Sequence, residues 1–403
     1  MIDVNATQTP KRYANIIPMK ELLRAQDQLN PFPVLEKLRK ETPVRYDSDR
    51  ECWDVFLYED VHKILQDPAS FSSSRGLDQK QSSMLMMDPP QHTQMRNLVS
   101  KAFTPKAVQD LAPKIDALTH GMVDAMLTRG EIDIVEELAT PLPVIVIAEM
   151  LGVPAADRKV FKEWSDILVS GPKENTDEAF MEVVRAKEKA SSELHHYFRQ
   201  IIADRRRQPQ DDLVTSLLQS EIDGEKLTED KLLGFCLLLL VAGNETTTNL
   251  ITNAVRVFTE YSDVQDELRR DPSKIPSAVE EVLRYYPPVV AIGRTATKDL
   301  EIRGQQIQRG QQVVSWIASA NRDEHKFDDP NRFIIGRKPN AHLSFGFGIH
   351  FCLGAPLARL EAQIALGVLL EKTKQLTGNQ LATLTPIQSP FVYGVKAFPV
   401  QIS

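Results

Sequence analysis

The chain has 403 residues, 42% hydrophobic and 26% charged, with a net charge of −7. That balance suits a globular protein and argues against general nucleic-acid binding, which needs a basic surface. Its three cysteines, Cys52, Cys236 and Cys352, are too few and too scattered for a disulfide framework and fit a reducing compartment. Met1 to Pro18 has no apolar core of the secretory kind. The longest apolar run, Phe235 to Ala242, falls well short of the ~20 residues that span a bilayer. A cytoplasmic protein without a membrane anchor is expected, and a monomer is the default.

In chain order, residues 1 to 18 read as a loose arm. Met19 to Leu29 and Pro33 to Glu41 read as helices separated by Asn30 and Pro31. Val44 to Tyr46 and Trp53 to Leu57 form a β-hairpin pattern across Asp47-Ser48-Asp49-Arg50. Tyr58 to Gln66 returns to helix, and Ser70 to Met87 is irregular. The cluster Met84-Leu85-Met86-Met87 fits either ordinary core or an adaptable apolar pocket, because methionine is flexible. Pro89-Pro90 opens a further helix, on which His92 and Arg96 are four apart and share a face. That face could hold an anion or be a satisfied surface pair.

Thr104 to Arg129 reads as one helix closed by Gly130, Ile132 to Ile134 as a short strand, and Leu138 to Leu151 and Asp157 to Val169 as helices. Gly171 to Thr176 is a polar loop. Asp177 to Arg207 is a long charged helix whose Arg205-Arg206-Arg207 end is expected to be solvated, and Asp211 to Gln219 is another helix. Thr228 to Tyr261 is the longest periodic segment and so apolar that it should cross the core. Its middle, Ala242-Gly243-Asn244-Glu245-Thr246-Thr247-Thr248, contradicts that: glycine costs a helix about 1 kcal/mol against alanine, and buried polar groups need partners. By itself this run could be a tolerated polar kink.

Ser277 and Glu280 have capping-box spacing at the start of the next helix. Glu281 and Arg284 are three apart, ordinarily a weak exposed pair. Val289-Val290-Ala291-Ile292 leads to Arg294, and Leu300 to Ile317 alternates as strands broken by Gly304 and Gly310. Leu381 to Ile402 reads as short strands. Between them stands Phe345-Gly346-Phe347-Gly348-Ile349-His350-Phe351-Cys352-Leu353-Gly354, just before the apolar-periodic segment Leu357 to Leu370. A helix N-terminus offers free N–H groups that favour a thiolate, and the glycines admit a flat ligand closely. For Cys352 alone, an inert buried thiol is the better reading, since buried cysteines are mostly inert.

The pattern Phe-Gly-x-Gly-x-His-x-Cys-x-Gly at 345–354 resembles the haem-binding signature of the cytochrome P450 family. Three further motifs resemble that family in its order: Ala242 to Thr246 its oxygen-binding run, Glu281-x-x-Arg284 its structural ion network, and Asp329 to Phe333 the stretch carrying the third member, Arg332. The resemblance implies a mainly α fold with a small β-rich lobe in a single large domain, and haem b (iron protoporphyrin IX) as cofactor. It makes Cys352 the proximal thiolate ligand, flanked by Phe345 and Gly354. It gives His92, Arg96, Arg294 and His350 to the haem carboxylates. Ala242 and Gly243 leave room for O2, Thr246 hydrogen-bonds it, and Glu245 relays protons, since cleaving O–O needs protons delivered. Met84, Leu85, Leu239, Val289, Val290, Ile292 and Val392 would line the substrate pocket.

The function implied is monooxygenation of a lipophilic small molecule (steroid, terpene, fatty acid or macrolide-like) using O2 and electrons from NAD(P)H. With no flavin or iron–sulfur motif in the chain, a ferredoxin or flavodoxin and its reductase must supply them, docking near Cys352 with Lys101, Lys106 and Arg359 as basic contacts. Two alternatives are a peroxygenase driven by H2O2, against which the Glu245–Thr246 pair weighs, and a non-catalytic haem ligand carrier.

Overall fold

The computed structural model describes residues 18–74, 83–169, 177–222, 224–378 and 383–403. The expected N-terminal arm, the middle of the 70–87 loop and the polar loop at Gly171 to Thr176 lie outside these residues. The N-terminal part holds α1 (Ala25–Leu29), α2 (Phe32–Glu41), the hairpin β1 (Val44–Asp47) and β2 (Cys52–Val55), α3 (Tyr58–Gln66) and β3 (Phe71–Ser72). Then come α4 (Gln91–Ala102), α5 (Pro105–Gln109), α6 (Ala112–Leu127), β4 (Glu131–Asp133), α7 (Pro141–Met150), α8 (Arg158–Val169), α9 (Asp177–Arg207) and α10 (Leu213–Gln219). After the small hairpin β5 (Glu221–Ile222) and β6 (Glu225–Lys226), α11 (Glu229–Glu260), α12 (Ser262–Arg270) and α13 (Ile275–Tyr285) follow. The chain ends with β7 (Ile292–Ala296), β8 (Leu300–Ile302), β9 (Gln305–Ile307), β10 (Gln312–Ser315), α14 (Ile317–Ala320), α15 (Ala355–Lys372), β11 (Leu376–Gly378) and β12 (Pro399–Ile402).

The main core forms around α11, which packs against α7, α8, α9, α13 and α15. The Thr228 hydroxyl caps α11 by accepting from the Lys231 N–H, and Glu229 and Asp230 favour its positive end. A second, smaller core sits on the sheet β1-β2-β10-β7-β3, in which β10 runs parallel to β2 and antiparallel to β7. The hairpin turn is held by Asp47, whose carboxylate accepts from the N–H groups of Asp49 and Arg50. The C-terminal β12 pairs with β11 and reaches back to β4. The fold is thus mainly α with a small β-rich lobe. Among the described residues no helix is long and apolar enough to cross a membrane.

Several expected boundaries shift for identifiable reasons. The helix read over Thr104 to Arg129 divides into α5 and α6, because Pro113 lies in the first turn of α6 and cannot continue a helix from before it. Leu138 to Leu151 divides likewise at Pro141, after a π-helical turn over Val135–Ala139. Met19 to Leu29 is a 3₁₀ turn, Lys20–Leu22, followed by α1. Ser277 does not cap α13: that helix begins at Ile275, and the Ser277 hydroxyl instead accepts from the Gly336 N–H at 2.8 Å. Nor is Arg205 solvated. It is buried, pairs with Asp212 and donates to the Gly152 carbonyl at 2.9 Å, tying α9 to the turn after α7.

Glu281 and Arg284, far from an exposed pair, are both fully buried. Arg284 donates to both Glu281 oxygens at 2.9 and 2.7 Å and to the carbonyls of Asn321, Pro330 and Arg332. Glu281 also accepts from Ile334 N, Arg337 and Asn340. The expectation for Arg332 is therefore corrected. Its side chain is exposed beside Asp329, and only its backbone carbonyl enters the network; the second cation is Arg337.

Removing one partner of a buried ion pair strands the other, at about 3–5 kcal/mol. Glu281→Ala is accordingly expected to lower stability to urea by that amount, whereas Arg332→Ala should stay within about 0.5 kcal/mol of the wild type.

A second buried carboxyl, Glu361 in α15, has an oxygen with no hydrogen-bond partner among the described residues, and burial pushes its pKa from 4.5 up to about 8. The folded protein then holds a proton that the unfolded chain has lost, so stability falls as pH rises between those values. Glu361→Gln is expected to match the wild type in urea below about pH 4.5 and to exceed it above about pH 8.

Candidate active site

The cysteine loop is held from three sides before it reaches Cys352. The Leu343 N–H donates to Asn321, the Ser344 hydroxyl donates to the Leu283 carbonyl, and the Gly346 N–H donates to the Leu343 carbonyl. His342 and Arg359 both bond Glu280 of α13; burial opposes that carboxylate, yet the two cations hold its pKa down at about 2. Cys352 N–H closes the loop on the Phe345 carbonyl at 2.9 Å. Gly346 and Gly348 both have positive φ, +71° and +70°. At Gly348 a side chain would also meet the Leu65 carbonyl at 2.7 Å, while Gly346 has more room.

Of the three cysteines, Cys52 and Cys236 are buried, with thiols pushed up by burial to about 12; Cys352 alone is exposed. Surrounding protein raises the Cys352 thiol too, but the N–H groups of Gly354 and Ala355 at the start of α15, together with Arg96, pull the other way. Those are the influences that favour a thiolate.

α15 packs against α11. Along α11, Leu238, Val241, Ala242, Glu245 and Thr246 remain accessible while most of their neighbours are buried. Their spacing of three and four residues makes one stripe on one helix face. Ala242 is exposed in the middle of this core helix. The Thr246 hydroxyl donates to the Ala242 carbonyl at 2.7 Å, and the Asn249 amide donates to the Glu245 carbonyl at 2.7 Å. Buried Asn244 turns away from the stripe and donates to Ser165 of α8. At Gly243 a Cβ would come within 3.1 Å of the Ile147 side chain, so a larger residue would require Ile147 to shift. Burial raises the Glu245 carboxyl to about 7, with Lys187 of α9 opposing the rise.

The structure brings His92, Arg96, Arg294 and His350 together. The His92 and His350 rings lie 4.2 Å apart, centre to centre. Burial, then Arg294, His92 and Arg96, depress His350 to about 3. Both ring nitrogens of His92 are buried with no hydrogen-bond partner among the described residues, and no carboxylate pairs with Arg96 among them. His350 bonds the Ser73 hydroxyl at 2.9 Å, a contact no motif announced. The two buried His92 nitrogens, without partners among the described residues and beside the Arg96 guanidinium, suit anionic oxygens from outside the chain.

Among the expected pocket residues, Leu85 is 52% exposed and Val289 and Ile292 are partly so, whereas Met84, Leu239, Val290 and Val392 are buried in the protein. Strand-like alternation separates Val289 from Val290: Val289 bridges Val392 and Val290 bonds Phe391 and Ala318. Leu238 and Val241 were missed, though counting back from Ala242 in helical steps reaches Leu238. Arg359 is not a free surface cation, since it pairs with Glu280 and lies 4.5 Å over the Phe345 ring. Lys101 donates to the Glu221 carbonyl, and Lys106 is exposed.

The sequence matches the Cytochrome P450 family over residues 15–380. The chain belongs to this family. It is 54% identical over 394 residues to Cytochrome P450 109 of Bacillus spizizenii, a match spanning 98% of this chain and 97% of that one. Its structure is similar to substrate-free CYP109E1 from Bacillus megaterium (TM-score 0.89, 45% identity, 93% of this chain and 99% of that one). It is also similar to CYP109B1 from Bacillus subtilis (TM-score 0.88, 46% identity, 93% of this chain and 100% of that one). The protein is thus a P450 monooxygenase, an oxidoreductase that binds haem b through a cysteine thiolate. This P450's own residues suit that group. One accessible cysteine sits at a helix N-terminus, and the buried His92 nitrogens, without partners among the described residues and beside Arg96, suit its carboxylates.

Because Gly348, unlike Gly346, combines a left-handed backbone with a blocked Cβ, Gly348→Ala is expected to destabilise the apoprotein in urea by about 2–3 kcal/mol, and Gly346→Ala by about 1 kcal/mol.

Proposed function

We propose that this P450 hydroxylates lipophilic small molecules, with O2 as oxidant and electrons from NAD(P)H delivered by a separate ferredoxin or flavodoxin and its reductase. The observation that carries the reading is the accessible stripe of α11, which puts a small residue, a hydroxyl and a carboxyl titrating at about 7 on one face of a core helix. A purely ligand-binding wall has no use for a carboxyl poised near neutral pH, and a general acid does.

When bound, haem supplies the iron that activates O2 and exchanges electrons. Cys352 would hold it through Sγ, with the Gly354 and Ala355 N–H groups keeping charge on the sulfur. His92, Arg96, Arg294 and His350 would hold its carboxylates. Ala242, small and exposed, would leave room for O2, and Gly243 lets α11 approach Ile147. Because Thr246 donates to the Ala242 carbonyl, its oxygen is left to accept, so it can hold a water or a protonated Glu245. With its O–H turned from the Ala242 carbonyl to an inner water, the hydroxyl would hand that proton to the water while taking one from the Glu245 carboxyl, which is left as carboxylate. Apolar side chains at Leu85, Leu238, Val241, Val289 and Ile292 would exclude bulk water and hold substrate by burial. CYP109E1 has been solved in complex with corticosterone and with testosterone (TM-scores 0.87 and 0.86). Steroids are therefore the first class to offer. The cytoplasm is the expected compartment.

The reduced protein under CO is expected to show the strongly red-shifted Soret band of thiolate ligation, and Cys352→Ala to lose it. Turnover should require NAD(P)H and a ferredoxin, with peroxide a poor substitute. Thr246→Ala is expected to keep the CO band while most electrons leave as H2O2 in place of hydroxylated product; unchanged coupling would remove Thr246 from the relay.

A further inference from the structure

The Glu245 carbonyl and the Thr246 N–H belong to one planar amide. Whatever holds that carbonyl therefore helps to set the direction of both residues. It is held by Asn249, one turn further along α11, whose side-chain amide donates to it at 2.7 Å. Asn249 is fully buried, and its Oδ1 has no hydrogen-bond partner among the described residues. An unpaired buried oxygen is costly. What the side chain contributes is its donor, and packing must fix the direction of that donor.

The packing comes from Gly394, near the C-terminus. A Cβ at this glycine would stand 1.8 Å from Asn249 Oδ1 and 2.5 Å from its Cγ, far inside van der Waals contact. The Gly394 φ is not in the left-handed region, so the position requires a missing side chain and not glycine's backbone freedom. Nor can the segment that carries it back away. The Tyr393 N–H donates to the Pro288 carbonyl at 2.9 Å, and the Ile387 N–H donates to the Gly394 carbonyl at 3.1 Å. The Tyr393 hydroxyl accepts from Arg256 of α11 and donates to the Leu29 carbonyl at 2.9 Å. With Gly394 fixed on both sides, Asn249 must give way to any added side chain. Two residues earlier in the same segment, Val392 bridges Val289 on the wall assigned to substrate.

We infer that Gly394 is a positioning residue for the hydroxylation: its bare backbone seats Asn249 so that the amide holds the Glu245 carbonyl and, through that peptide, the aim of Glu245 and Thr246. This role rests on the reading of those two residues as the proton relay.

The test combines Gly394→Ala with two second-site variants that clear the clash. In Asn249→Ser the side chain is short and can still donate to the carbonyl four residues back, as Thr246 does to Ala242 and Thr252 does to Thr248. In Asn249→Ala it is equally short and has no donor. The Gly394→Ala holoenzyme should keep its CO band, while amide hydrogen exchange over residues 242–250 of the resting enzyme quickens about tenfold. Its yield of hydroxylated testosterone per NADPH should fall about fivefold. Adding Asn249→Ser should restore both, and adding Asn249→Ala should restore neither. An unchanged exchange rate or an unchanged yield in Gly394→Ala overturns the proposal, as do equal values for the two double variants. If Gly394→Ala alone does not fold, the two double variants decide by that same comparison. Normal exchange in Gly394→Ala would sink the Gly394 contact alone, whereas unchanged coupling in Thr246→Ala would sink the relay reading itself.

Discussion

The Glu281–Arg284 pair is the constraint on which the site depends. Two full charges with no access to water are tolerable only if every donor and acceptor around them is fixed. The chain meets that demand by wrapping the segment from Asn321 to Asn340 around the pair, contributing three carbonyls, one backbone N–H, Arg337 and Asn340. Asn321, whose carbonyl serves Arg284, uses its side chain to hold Leu343 and Ser344. The irregular stretch before the cysteine is thus as rigidly determined as a helix. That is why a loop without regular structure can present Cys352 at a defined place.

α11 shows the same trade from the other side. A helix buried over most of its length carries glycine, a carboxyl and hydroxyls where leucine would be more stable. The structure limits the cost. Asn244 donates to Ser165 and accepts from Thr248, Thr246 bonds its own helix, and Glu245 is left on the accessible stripe. Most of the polar segment is absorbed by local bonds, and one carboxyl remains with only a distant ammonium for company. The two His92 ring nitrogens, buried without partners among the described residues, are another unsatisfied place.

Much of this was legible in the chain itself. The long apolar period with a polar centre announced α11, the glycine-spaced run announced the cysteine loop, and Asp177 to Arg207 was delimited to the residue because charge and period agree along its whole length. Boundaries failed where proline cut a continuous hydrophobic period, at Pro113 and Pro141, since periodicity registers burial and not the missing N–H. Ser277 failed for another reason: local spacing suggested a cap, but a distant backbone N–H claimed its hydroxyl.

Residue types and their order along the chain were enough to single out one cysteine, one acid–threonine pair and one Glu-x-x-Arg, because each is a short-range pattern whose chemistry depends on neighbours in sequence. Tertiary structure alone decided which distant groups meet. It put Arg337 and not the Arg332 side chain on Glu281, turned Arg205 inward to Asp212, occupied Arg359 with Glu280, and set Lys187 within the field of Glu245. Each of those outcomes depends on how two helices or a loop pack across many intervening residues. The energy of a buried charge depends on that packing, which no local pattern records.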